Sequence, residues 1–119
     1  MNASEVRARW EALRIRLERE AEARKFPQEA VLELSREYAL LPAEERCEID
    51  SLLSDWALSV DENKRFHALA VIADHRIRSA LPALCELADV LERSTAPSGP
   101  YELAKVMRVI GQLNALPAR

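Results

Sequence analysis

Residues 68–88 read ALAVIADHRIRSALPALCELA, and alanine and leucine make up about half of them. One short charged break, DHRIRS at 74–79, separates two apolar runs. The reading that fits is one helix ending in HALAVIA, a turn, and a second helix returning antiparallel through ALPALCELA. Small residues on both sides let two helix axes come close, and Ile77 in the turn can plug the end of the pair. Pro82 then falls in the first turn of the returning helix, where its missing N–H has no hydrogen bond to lose.

Working outward, apolar residues recur at three- and four-residue steps along the rest of the chain, the mark of helices with one buried face. Val6, Trp10, Leu13, Leu17 and Ala21 stripe a first helix from about Ser4 to Lys25. Pro27 opens a second, striped by Val31, Leu34, Tyr38 and Leu41, and Pro42 opens a third, with Ile49, Leu52, Leu53 and Trp56. Ser59 and Glu62 have the spacing of a capping box at the head of a fourth, whose stripe reads Phe66, Leu69, Ala70 and Ala73. Leu81, Leu84, Ala88 and Leu91 mark the fifth. After the loop ERSTAPSGP (92–100), Leu103, Val106, Ile110 and Leu113 mark the sixth.

Composition agrees with this all-helical pattern. Of 119 residues, 49% are apolar and 31% charged, and only two are glycine. That is enough chain for a single domain with its own core. The expected organisation is one domain over 1–119: N-terminal helices over 1–58, a helix pair over 59–91 and a last helix over 100–113. Cys47 and Cys85 have no metal or redox spacing and are expected as buried free thiols. The N-terminus lacks an apolar signal region, and no apolar run reaches membrane length, so a soluble cytoplasmic protein is expected.

The turn in the opening stretch resembles the inter-helix segment of HEAT-like repeats, through Asp74, Arg76, Ile77, Ala80, Leu81, Pro82 and Leu84. The resemblance covers residues 61–91. It implies an α-α superhelix of about six helices in three antiparallel pairs, with an irregular compact bundle as the alternative. The other pairs lack the Asp and Pro at matching positions.

No spacing of reactive residues announces catalysis. His67 and His75 lie eight apart across a turn and do not make a metal pair; a helix-surface or half-buried place is expected for His67 and a turn for His75. No nucleophile elbow or phosphate-binding loop occurs. No catalytic residue, cofactor or metal ligand is therefore assigned, and the chain is not expected to be an enzyme.

Charge is more informative. The net charge is -3, but residues 26–63 carry ten acids against Arg36 and Arg46, while 1–25 and 64–119 are each net positive. A field of that sign steers a basic partner into contact. Paired helices stacked side by side commonly bind proteins. Small acidic helical chains of this kind resemble the immunity proteins that neutralise bacterial polymorphic or contact-dependent toxins. That resemblance implies a protein partner, a basic toxin domain, covered by an acidic helical face. Glu44, Glu45, Glu48, Asp50 and Asp55 are the contact residues expected on it, exposed on the third helix.

Two other functions compete. Lys64, Arg65, Arg76, Arg78, Lys105 and Arg108 offer a patch for nucleic acid, against an acidic net charge and few aromatics to stack bases. A homodimer is the third reading. Ile15 falls about 140° around the first helix from Trp10 and is free to face another chain.

Overall fold

The computed structural model describes residues 2–116, and among them the chain is all-helical. The helices are α1 (Ala3–Ala23), α2 (Gln28–Ala39), α3 (Ala43–Ala57), α4 (Glu62–His75), α5 (Leu81–Glu92) and α6 (Gly99–Asn114), with a 3₁₀ turn at Arg78–Ala80 before α5. Pro27 and Pro42 stand at the N-caps of α2 and α3, and Asn2 caps α1 by accepting from the Glu5 N–H. No described helix is long and apolar enough to cross a membrane.

Short connections make α1/α2, α3/α4 and α5/α6 antiparallel hairpins, and each hairpin packs along its length. The hairpins then stack. α1 packs on α3 and α3 on α5, while α2 packs on α4 and α4 on α6. The result is two layers, odd helices in one and even helices in the other. The molecule is 41 × 37 × 22 Å, and its thinnest dimension is that of two helices laid face to face. This is the expected all-helical architecture of three antiparallel pairs.

The opening stretch plays a different part in it. α4 rests on α3, α2 and α6, and α5 on α3 and α6, but no comparable interface joins α4 to α5. The charged break is a link between the second and third hairpins. Arg76 adopts a left-handed backbone, φ 52°, at the end of α4, and the 3₁₀ turn follows. That turn lays the buried Ala80 against α3 and starts α5 there, while Ile77 is buried as a plug.

Other expectations change as well. The α4 cap is Asp61, whose carboxylate accepts from the N–H groups of Asn63 and Lys64 at 2.9 and 3.3 Å. Ser59 sits too early for a capping box and accepts from the Asp61 N–H instead. Both cysteines are exposed, because α3 and α5 turn other faces to the core. The buried face of α4 is His67, Ala68, Val71 and Ile72, rotated from the expected stripe, so Phe66 stands out and His67 goes in. α4 is the middle helix of its layer and meets three neighbours, so apolar residues occupy opposite sides of it and two stripes about 180° apart look alike in sequence.

Candidate functional site

The five acids expected to meet a partner are nearly all engaged within the fold. Arg7 reaches from α1 between Glu48, at 3.2 Å, and Asp55, and Arg9 pairs with Glu45. The hydrogen bond to Asp55, with Glu48 adding to it against partial burial, raises the Arg7 pKa above its ordinary value. Asp50 accepts the Tyr38 hydroxyl at 2.6 Å. Burial first, and then that bond, push the Tyr38 phenol well above its usual pKa. Of the five, only Glu44 is exposed with no ion pair among the described residues. Glu45, Glu48 and Asp50 are half-buried, and Asp55 alone of the engaged four is exposed. Glu45, Glu48 and Asp55 form a seam between α1 and α3, carried further by Trp56, whose indole N–H donates to Glu11 at 2.7 Å, while Asp50 ties α3 to α2.

The basic patch is also partly taken up. Lys64 pairs with Glu11 at 3.5 Å, and Arg65 with Glu102 at 2.8 Å, while Arg65 also donates to the Ser59 and Val60 carbonyls. Lys105 lies against the rings of Phe66 and Tyr101, at 5.2 and 4.8 Å. Arg76, Arg78 and Arg108 remain exposed.

Ser35, Asp74 and His75 meet where α2 crosses the end of α4, and their residue types invite comparison with a nucleophilic triad. His75 Nε2 lies 2.9 Å from the Ser35 carbonyl oxygen and 3.0 Å from its Oγ. A carbonyl only accepts, so Nε2 carries the proton and has no lone pair with which to activate the hydroxyl. The Ser35 hydroxyl donates to Asp74 instead. The cluster clasps α2 to α4, with the His75 ring tilted against Tyr38 at 4.5 Å.

The even-numbered layer has a more open character. Its three helices run parallel, so the first turns of α2, α4 and α6 share one edge. Between α1, α2 and α4 lies a hollow of about 430 Å³ with walls of Ala21, Pro27, Ala30 and Phe66. Glu22 and Glu62 stand on it exposed, and neither makes an ion pair among the described residues. Between α4 and α6 a smaller groove holds Tyr101 and Lys105. Phe66, 43% exposed, lines both, and Tyr101 is 69% exposed.

The hollow is backed by buried polar groups. Arg14 is only 5% exposed, donates to Glu18 at 2.7 Å and lies over the Trp56 ring, yet its Nε has no partner among the described residues. Glu18 also accepts from Asn63 at 2.9 Å, tying α1 to α4. His67 is 5% exposed, and its buried Nδ1 has no hydrogen-bond partner among the described residues. Burial first, then the positive charge of Arg14, hold its pKa below the ordinary histidine value, so the ring is neutral at pH 7.

Sequence reasoning reached none of Glu22, Glu62, Phe66 and Tyr101 as a surface. The one signal in the sequence was the apolar excess around α4, which fits two stripes at once. Compared with protein-family models, with curated proteins and with solved structures, the chain finds no match.

Proposed function

We propose that this chain is a non-enzymatic protein-binding module that holds a basic partner against the α2–α4–α6 face. The observation that carries the reading is the uncovered pair Phe66 and Tyr101 beside the unpaired carboxylates of Glu22 and Glu62. Aromatic residues left half in water give binding energy when covered, and unmatched acids near them select the sign of the partner. In its most concrete form the module is an inhibitor of the immunity type, neutralising a bacterial toxin domain in the cytoplasm by covering a basic surface. The contact acids then move from α3, where the α1 arginines already match them, to the rim of the hollow, with Glu44 as an outlier.

The test is capture by the tagged chain from lysate of its native cells at about 100 mM salt, repeated at high salt, where screening weakens exposed charge contacts. The reading expects one stoichiometric basic protein, lost at high salt and lost with Phe66→Ala/Tyr101→Ala. Capture indifferent to that double variant contradicts it, and recovery of nucleic acid in place of protein supports the competing basic-patch reading.

A further inference from the structure

The hollow beside Phe66 has a more definite chemistry than the face as a whole, and an occupant inferred for it rests on the protein-binding reading. Its walls are short and apolar, Ala21, Ala30 and Pro27, with the Phe66 ring at one side. The exposed charges that line it are negative: Glu22 and Glu62 make no ion pair among the described residues, and the third carboxylate, Glu18, is shared between Arg14 and Asn63. Lys64, the nearest cation on α4, is turned to Glu11. The positive end of α4 is met by its own Asp61 cap, so it does not cancel the rim.

His67 adds an independent observation. It lines the same hollow, is nineteen-twentieths buried, and its Nδ1 has no hydrogen-bond partner among the described residues. Either nitrogen of a neutral imidazole is costly to bury without a match. The sign of the occupant is set by the rim, where the carboxylates of Glu22 and Glu62 favour a cation. Phe66 already shows what its ring accepts, since the Lys105 ammonium lies against it on the α6 side.

We propose that the hollow is a receptor for one arginine or lysine side chain of the partner protein. The aliphatic stem lies along Ala30, Pro27 and Phe66, and the cation reaches Glu22 and Glu62. Methylene stems pack on apolar walls while the charged head meets carboxylate or an aromatic face.

The test uses the full chain, labelled with ¹⁵N, and two small probes: Nα-acetyl-arginine N-methylamide and the uncharged Nα-acetyl-norleucine N-methylamide. The arginine probe is expected to shift the amides of Ala30, Asn63, Phe66 and His67 saturably, with a dissociation constant of about 1–10 mM. The norleucine probe leaves them in place, and Glu22→Gln/Glu62→Gln weakens the arginine probe by about fivefold or more at unchanged helicity. No saturable shift at these four residues, equal shifts with norleucine, or indifference to the double variant each overturn the proposal. If the four amides do not respond while the tagged chain still captures a basic protein through Phe66 and Tyr101, the receptor is refuted and the protein-binding reading survives. If the probe binds as described but nothing is captured, the receptor stands and the protein-binding reading is what fails.

Discussion

The α1–α3 seam and the α2–α4 hollow are both rich in carboxylates and both contain a large aromatic residue, yet they do opposite things. In the seam, Glu45, Glu48 and Asp55 face the guanidinium groups of Arg7 and Arg9, and Trp56 is buried with its N–H on Glu11. In the hollow, Glu22 and Glu62 make no ion pair among the described residues, Phe66 is half in water, and the buried His67 Nδ1 has no hydrogen-bond partner among them. A carboxylate that already has its counter-charge holds two helices together and projects little field. One without a counter-charge leaves its field for something outside the molecule. Counting acids along a segment does not distinguish the two.

Replacing each region's aromatic residue breaks the comparison most sharply. Trp56→Ala opens a cavity in the core and removes one of the two partners of Glu11, so a loss of about 3–5 kcal/mol in urea unfolding is expected. Phe66→Ala, on the half-exposed rim, should cost under about 1 kcal/mol. Comparable losses for the two would mean that Phe66 is a core residue and that the hollow is closed in solution.

Tyr38 tests the matched side of the comparison at a single bond. Tyr38→Phe leaves the half-buried Asp50 without its donor, an expected cost of about 1–2 kcal/mol. The raised phenol pKa also sets a sign. The folded state keeps Tyr38 protonated where the unfolded chain would release the proton, so the contribution is whole below about pH 10, the ordinary tyrosine pKa, and is lost as pH rises beyond it. Unfolding midpoints of the wild type and Tyr38→Phe should therefore converge as pH climbs from about 9 through 11, a window of about one unit each side of that ordinary value.

On the open side the smaller lever is His67. Its pKa is depressed in the fold by burial and then by Arg14, so the unfolded chain binds the proton more readily. The stability this gives is present above about pH 6.5, the ordinary histidine value, and is lost as pH falls below it. His67→Phe should flatten the stability curve between about pH 5 and 6.5 and barely change it at pH 8. An unchanged acid limb would show that His67 is hydrated rather than buried.

Much of this architecture is legible in the sequence. The stripes of α1, α3 and α5 each have a single phase, with Trp10, Ile49, Leu53 and Leu84 all buried as their spacing demands. α4 was not legible in the same way. It lies between three helices, apolar residues fill opposite flanks, and periodicity alone does not choose between the flank of Phe66 and the opposite one of Ala68, Val71 and Ile72. The seam was hidden for another reason: Arg7 and Asp55 are 48 residues apart, and their meeting depends on α1 crossing α3, which local periodicity does not encode. Expecting Glu45, Glu48, Asp50 and Asp55 as an open acidic face comes from reading charge without its long-range partners.

The central claim is that the seam's acids are matched and the hollow's are not. Urea unfolding of two variants side by side tests it most directly: Glu45→Gln/Glu48→Gln/Asp55→Asn for the seam and Glu22→Gln/Glu62→Gln for the hollow. The account predicts a loss of about 1–2 kcal/mol for the seam set, shrinking with added salt, and a change within about 0.5 kcal/mol for the hollow pair. Equal losses, or a larger loss from the hollow pair, would mean that Glu22 and Glu62 are already matched inside the protein.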